Sequence, residues 1–216
     1  MAFKGWPAEA IEFFEGLEVD NTKTYWLEHK KTYDEKVKRP MEELLAELES
    51  EFGEGKIFRP NRDVRFSADK SPYKTQIAGT LSKGGYVSLS AEALGVGSGM
   101  YMPMPDQLER LRAAIANDRT GAEIERLVKA VRAKKIELSA HEELKTAPKG
   151  YPKDHPRIEL LRMKGMITWK QWPIAAWMGT AKAKQRIIDV LHAAQPINAW
   201  LDKHVGPTTM SGGWGH

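Results

Sequence analysis

No cysteine occurs in the 216-residue sequence. A chain without thiols forms no disulfide and no cysteine-ligated zinc or iron–sulfur centre, and it has no cysteine nucleophile. The sequence also has no apolar run near the roughly 18–20 residues that a membrane span needs. Residues 1–7 lack the apolar core of an export signal. These absences favour a cytoplasmic protein.

Familiar cofactor and catalytic motifs are missing as well. The glycine-rich stretch at residues 95–99 does not have the third glycine of a dinucleotide-binding turn at the right spacing, and it lies among strand-like residues. The sequence has no phosphate-binding P-loop and no Gly-x-Ser-x-Gly nucleophile turn. Its six histidines show no metal-ligand spacing. We therefore expect no metal site and no cofactor.

The arrangement of the hydrophobic residues indicates the fold class. Apolar residues recur at helical spacing through the first quarter of the chain, and short strand-like runs joined by tight turns follow. Contiguous short strands with tight turns favour an antiparallel sheet. The prediction is an α+β fold, with a mainly antiparallel sheet, an N-terminal helix pair and further helices packed around it. We expect a single domain over residues 1–206 and a flexible tail over residues 207–216.

The same patterns predict limits for the separate elements. Helices are expected over residues 7–17, 21–39, 41–52, 105–117, 158–163 and 180–205, with a further helix that begins at Thr120 and has a capping box to Glu123. Strands are expected over residues 56–59, 63–66, 76–82, 86–91, 94–102, 135–139 and 166–172. Met100, Met102 and Met104 alternate, which places their side chains on one strand face, where we expect core packing.

Charge is distributed unevenly along the chain, although its sum is only +4. Residues 1–56 carry a net charge of −6, whereas residues 57–90 carry +4. Residues 91–147 are neutral, and residues 148–216 carry +6. If the two basic blocks meet in space they form a surface that attracts anions.

The first basic block contains the most unusual segment of the sequence, residues 59–75. It holds two aspartates, Asp63 and Asp69, and five cations: Arg59, Arg62, Arg65, Lys70 and Lys74. A strand over residues 63–66 would turn Val64 and Phe66 toward the core and Asp63 and Arg65 toward solvent or a cleft. The turn at Pro72 would return Tyr73 and Lys74 to the same strand. Two carboxylates cannot neutralise five cations, so three positive charges need another partner.

Two interpretations of this segment stay open. In the first, the guanidinium groups form a fork for a phosphate or carboxylate, with Asp63 and Asp69 orienting the cations and Lys70 or Tyr73 available as an acid or base. In the second, the aspartates pair with Arg62, Arg65 or Lys70 and lock the loop. The remaining cations then pair with glutamates of residues 1–56 or stay solvated.

A family resemblance supports the importance of this segment. The run Arg59-x-x-Arg62-Asp63-x-Arg65-Phe66, followed by Asp69-Lys70-x-x-Tyr73, resembles the signature of domain-of-unknown-function family 2461, which occurs in bacteria and fungi. Further similarity covers residues 14–40, 97–103 and 150–164, so the resemblance spans roughly residues 3–180. It implies a bacterial or fungal origin and no particular activity.

The resemblance also implies that the segment at residues 150–164 belongs to the same architecture as the segment at residues 59–74. His155, Arg162 and Lys164 would then face the first segment and complete one basic cleft. The alternative for His155 is a loop residue that caps the following helix beside Pro156.

These observations predict a protein that binds a small anionic ligand bearing a phosphate or carboxylate, and they leave open whether it is an enzyme. The predicted ligand-binding residues are Arg59, Arg62, Asp63, Arg65, Asp69, Lys70, Tyr73, Lys74 and Arg162. Candidates for a catalytic group are Lys70, Tyr73 and His155. One alternative is a nucleic-acid-binding protein, which the sequence pI of about 9.1 favours. Another is a non-enzymatic interaction module in which the charged cluster is a structural ion-pair network.

Overall fold

The structure is a computed structural model that describes residues 2–65 and 68–210. Its described part has an α+β fold, as predicted. The α-helices are α1 (Ala8–Val19), α2 (Lys23–Thr32), α3 (Arg39–Phe52), α4 (Pro105–Ala116), α5 (Asp118–Ala133), α6 (Ile158–Arg162) and α7 (Lys182–His204). The strands are β1 (Gly55–Ile57), β2 (Gln76–Leu81), β3 (Gly85–Ser90), β4 (Ala93–Met100), β5 (Glu137–Ser139) and β6 (Met166–Pro173).

Helices α2 and α3 are joined without a break by a π-helical turn at Tyr33–Lys38. The N–H of Arg39 donates to the carbonyl of Asp34, five residues back instead of four. Pro40 follows at once, and a proline in a helix clashes with the carbonyl four residues earlier and has no N–H to offer it. The wider turn accommodates Pro40, and the backbone continues in helical conformation through Lys38 and Arg39.

The strands form one antiparallel sheet in the order β1-β2-β3-β4-β6-β5. The hairpin from β2 to β3 turns at residues 82–84, where Gly84 has a φ of 96° and its N–H donates to the carbonyl of Leu81 at 2.9 Å. A positive φ is favourable only for glycine, which explains why the chain can turn at this residue. The predicted turn at Lys83-Gly84-Gly85 is therefore confirmed.

By contact density the chain divides into two compact units, Met1–Val96 with Gln171–Asp189, and Gly97–Lys170 with Val190–His216. In the first unit α3 packs on the sheet. Its buried Leu45 lies where a side chain on Gly55 or Gly79 would otherwise stand, because a Cβ at either glycine would come within 2.7 Å of Leu45. These glycines let the helix approach the strands closely.

In the second unit α4 and α5 bury Leu111, Ile115 and Ile124 completely. Trp200 of α7 donates from its indole N–H to the carbonyl of Thr120 at 3.1 Å, which satisfies a buried donor. Thr168 of β6 has no exposed surface, and its hydroxyl donates to the carbonyl of Ser98 at 3.1 Å. These two buried donors therefore each have an acceptor.

Three predictions about elements are wrong. Asp63, Val64 and Arg65 are not in a strand, and Val64 is only half-buried; Phe66, predicted to face the core with Val64, lies outside the described residues. The helix expected from Thr120 begins at Asp118, because the side chain of Asn117 accepts from two backbone N–H groups and caps it earlier. The methionine stripe is not a core face, since β4 ends at Met100 and Met102 is 58% exposed.

Other predictions concern the chain as a whole. Across residues 2–65 and 68–210, none of the helices combines the length and apolar character that crossing a bilayer requires. The single domain over residues 1–206 stays a prediction. So does the flexible tail, of which residues 211–216 lie outside the described part of the chain.

Candidate functional site

The charged segment of residues 59–75 is a loop between β1 and β2 that is closed at its base. The N–H of Lys74 donates to the carbonyl of Pro60 at 2.8 Å, and the N–H of Arg62 donates to the carbonyl of Pro72 at 2.9 Å. Asn61 and Tyr73 form an isolated antiparallel bridge between the two sides. Two prolines, which have no N–H, therefore serve as the acceptors that hold the base of the loop together. We refer to residues 59–75 as the basic loop.

Asn21 and Trp26 anchor this loop to the N-terminal helices through Tyr73. The Asn21 side chain donates to the backbone carbonyl of Tyr73 at 3.1 Å and accepts from its N–H at 3.0 Å. The Tyr73 ring is 7% exposed and stacks on Trp26, with centroids 4.3 Å apart and planes at 9°. Tyr73 is thus a packing residue that fixes the loop, although the sequence suggested it as a ligand-binding or catalytic group.

Both aspartates of the basic loop form ion pairs inside it. Asp63 accepts two hydrogen bonds from Arg65, from Nε at 2.9 Å and from Nη2 at 2.6 Å, in the bidentate geometry typical of arginine. Asp69 pairs with Arg62. Hydrogen bonding to the Arg65 side chain is the main reason why the pKa of Asp63 is lowered to about 2. The side chain and the backbone N–H of Ser71, followed by Arg62, lower the pKa of Asp69 to about 2.

Lys70 also bonds within the loop. Its ammonium group donates to the carbonyl of Val64 at 2.9 Å and so bridges the two sides of the loop near its tip. The side chains of Asp63, Arg65, Asp69 and Lys70 all lie at the surface. The tip is therefore braced by its own charges and not by a hydrophobic contact with Val64.

Within the described residues Arg59, Lys70 and Lys74 have no carboxylate partner, and of these three Lys70 donates to a carbonyl of the loop. Arg59 and Lys74 are therefore the cations whose side chains the described part of the loop leaves without a hydrogen-bonding partner. Neither forms an ion pair with any carboxylate in the described part of the chain. Partial burial lowers the pKa of Lys74, and the positive charge of Arg59 lowers that pKa further. Two cations are thus held close enough to repel each other.

An aromatic ring lies beside this pair. The Lys74 ammonium is 5.5 Å from the centre of the Phe58 ring, and Phe58 is 41% exposed. A cation near an aromatic face is weakly attracted by the ring. This attraction is smaller than that of a carboxylate, so the charge of Lys74 remains available to an anion.

The acidic N-terminal helices do not supply the missing counter-charge. Within the described residues, Arg59, Arg62, Lys70 and Lys74 form no ion pair with a carboxylate of residues 1–56. Several glutamates of those helices pair with other cations, as Glu9 does with Lys36 at 3.3 Å. The surplus positive charge of the loop is therefore not cancelled by that segment.

The predicted residues of the second basic block lie in the second compact unit, and their side chains are engaged there. Arg162 donates from Nε to the carbonyl of Leu144 at 2.7 Å and from Nη2 to the carbonyl of Lys145. Lys164 pairs with Glu142 at 2.6 Å.

His155 accepts from the backbone N–H of Arg157 at 3.0 Å through Nδ1. This contact holds the imidazole against the backbone just before α6, whose N-terminus receives no side-chain cap hydrogen bond. The described residues contain no group of three or more histidine, aspartate or glutamate side chains placed to hold a metal ion.

Sequence reasoning missed two residues of this region. Asn21 was predicted only as the first residue of a helix, because its partner Tyr73 is 52 residues away and no local pattern links them. Phe58 was assigned to a strand, and its exposure follows from β1 ending at Ile57. In the sequence, the available signal for Phe58 was an aromatic residue directly before a basic run.

Fold and loop together define a class: an α+β protein whose sheet carries a basic loop braced by its own aspartates. Within that class the chain belongs to the family described as conserved hypothetical protein (DUF2461), whose profile matches residues 9–200. The resemblance found in the sequence is thereby confirmed at the level of the family. No protein in the curated collection matches the chain significantly.

Proposed function

We propose that the basic loop binds a small anionic ligand, bearing a phosphate or a carboxylate, between Arg59 and Lys74. The observation that carries this proposal is a pair of neighbouring cations that form no ion pair with a carboxylate of the described chain. Partial burial lowers the pKa of Lys74, and the charge of Arg59 lowers it further. An anion placed between them removes the repulsion. It also gives the partly buried Lys74 a partner, and charged hydrogen bonds of this kind are among the stronger ones.

The aspartates have a positioning role in this proposal. Asp63 and Asp69 hold Arg65 and Arg62 in fixed orientations, so the positive potential of the loop tip keeps one geometry before the ligand arrives. A preorganised site loses less side-chain entropy on binding. Tyr73 and Asn21 keep the base of the loop in place. Arg162 and His155 have internal partners and are not part of the proposed contact.

Catalysis by the loop, nucleic-acid binding and a cytoplasmic location stay predictions of the sequence. Lys70 is the one candidate acid or base that belongs to the loop surface, and its ammonium donates to a carbonyl of the loop. Nucleic-acid binding differs from small-anion binding in its salt dependence, because each neutralised phosphate of a duplex contributes a slope of about −0.9 in log affinity against log salt.

The direct test is a thermal-shift and calorimetric screen with inorganic phosphate, sugar phosphates, nucleotides and dicarboxylates. At 100 times its dissociation constant a ligand stabilises the protein by about 2.7 kcal/mol, which is a readily measured shift. The double variant Arg59→Ala/Lys74→Ala is expected to lose the shift. The matched control is Lys129→Ala/Arg132→Ala, which removes the same charge from exposed positions on α5.

Equal responses of the two double variants would contradict the proposal, since only nonspecific charge would then be at work. Absence of any response to all four ligand classes would contradict it as well. A steep salt slope with oligonucleotides, together with no response to inorganic phosphate, would favour the nucleic-acid alternative.

A further inference from the structure

A second surface lies on the first compact unit and is opposite to the basic loop in charge. It is a groove of about 480 Å³ between α3 and β1. This volume falls within the range of about 300–1,000 Å³ that is usual for ligand sites. Eight residues line the groove: Lys38, Glu42, Leu45, Ala46, Glu49, Glu54, Gly55 and Ile57.

One wall of the groove is a single stripe of α3. Glu42, Ala46 and Glu49 follow one another at helical spacings of four and three residues, so their side chains share one face. Leu45 lies at the inner edge of this stripe and is buried. The wall thus has an apolar base and a carboxylate rim.

The other wall is the edge of the sheet. Strand β1 is the first in the strand order, so one of its sides has no neighbouring strand among the residues that the structure describes. The carbonyl of Glu54 and the N–H of Phe58 both bond toward β2. Because the direction alternates along a strand, the backbone groups of Gly55 and Ile57 point the other way. These are the two β1 residues that line the groove, which therefore offers unpaired backbone donors and acceptors.

The rim of the groove is negatively charged. Glu42 pairs with Lys38 at 3.0 Å. Glu49 and Glu54 are exposed and have no ion-pair partner anywhere in residues 2–65 and 68–210. A ligand seated here therefore meets apolar contact at the base, strand pairing along one wall and uncompensated carboxylates at the rim.

We propose that this groove binds an extended, basic segment of a partner protein, which pairs with β1 as an additional strand. The three residues of β1 present about 10 Å of edge, which matches three or four residues of an extended peptide. Small apolar side chains of the segment contact Leu45 and Ile57. Lysine or arginine side chains have stems long enough to reach Glu49 and Glu54. Main-chain pairing supplies affinity, and the carboxylates select a cationic sequence.

The probe is the synthetic peptide acetyl-Lys-Val-Lys-Val-Lys-amide, measured by fluorescence anisotropy with a labelled copy and by amide hydrogen exchange. We expect saturable binding that weakens as salt rises, and slower exchange of the Ile57 amide in the complex. Glu49→Lys/Glu54→Lys should weaken binding at least tenfold. The matched control is Glu15→Lys/Glu18→Lys on α1, which makes the same charge change on exposed residues outside the groove.

A second control separates strand pairing from charge alone. The same peptide with alternate backbone nitrogens methylated keeps its three positive charges but loses donors for β1, so its affinity should also fall at least tenfold. Equal weakening by the two charge-reversed variants, or equal binding of the methylated peptide, would overturn the proposal. Arg59→Ala/Lys74→Ala should not weaken peptide binding, although it should abolish the response to inorganic phosphate, so the two proposals are tested separately.

Discussion

At the scale of single residues, the basic loop shows how similar side chains receive different tasks. Arg62 and Arg65 form ion pairs with aspartates that lie seven and two residues away, respectively, within the loop. Arg59 lies near the base of the loop, beside Lys74 and Asp63, and forms no ion pair within the described residues. The path of the loop therefore decides which cations are structural and which are available.

The Asp63–Arg65 pair gives a pH-dependent prediction. A pKa lowered from 3.8 to about 2 means that the pair stabilises the folded loop fully above pH 3.8 and loses this effect as the pH falls through about 2. Arg65→Ala should move the pKa of Asp63 back toward 3.8, because the Arg65 side chain is the main cause of the shift. Carbon-13 NMR titration of the side-chain carboxyl groups measures this.

Asp69 is the internal control in the same titration. Its lowered pKa arises first from Ser71 and not from Arg65, so it should remain at about 2 in the variant. If Asp63 kept its low pKa without Arg65, the bidentate pair would not be its cause.

The count of charged residues in the sequence predicted part of this site. Five cations against two aspartates correctly indicated a surplus inside residues 59–75. It could not identify Arg59 and Lys74 as the unmatched pair, because that depends on which side chains the loop closure brings together. The backbone hydrogen bonds between Lys74 and Pro60 and between Arg62 and Pro72 set the path of the loop. That path determines which side chains lie close together.

At the scale of secondary-structure elements, prediction succeeded where local chemistry is strong. The hairpin of β2 and β3 follows from Gly84 and from the strand-like runs on either side of it. The strand predicted at residues 63–66 failed although its apolar residues alternate. A short run forms a strand only where a neighbouring segment hydrogen-bonds to it. This run lies in a loop whose two sides form their backbone bridge at Asn61 and Tyr73, outside the run.

Helix α5 offers a prediction in which propensity and packing oppose each other. Alanine is about 1 kcal/mol better than glycine inside a helix, so propensity alone favours Gly121→Ala. A Cβ at Gly121 would stand 2.2 Å from Nε of the buried Arg157 and 2.3 Å from the carbonyl oxygen of Ile115. We expect a net loss of about 1–3 kcal/mol in the free energy of unfolding, measured by urea denaturation.

The matched background for this test is Arg157→Ala. Removing the guanidinium clears one of the two clashes, so Gly121→Ala should cost less there than in the unaltered protein. Rescue is expected to be incomplete, because the Ile115 carbonyl belongs to the backbone and cannot move aside. A stabilising Gly121→Ala in the unaltered protein would contradict this account of the packing.

At the scale of the whole molecule, the open question is how many cooperative units unfold. The sequence predicts one domain over residues 1–206, and the chain divides into two compact units. Strands β4 and β6 and helix α7 each contribute residues to both units. We therefore expect differential scanning calorimetry to show one transition, with equal calorimetric and van't Hoff enthalpies. Two resolved transitions would contradict the single-domain prediction.

The π-helical turn at Tyr33–Lys38 has a consequence for how the chain tolerates changes in length. Such a turn contains one residue more than an α-helical path, so deleting a residue here shortens the rod very little. Because the wide turn absorbs the extra residue, a deletion that restores the α-helical path would keep Leu44 and Leu48 on their buried face. It would instead remove the room that the wide turn gives to Pro40, whose ring would then clash with the carbonyl four residues earlier. The inserted residue thus lets a proline enter the continuous helix without changing which side of α3 is buried.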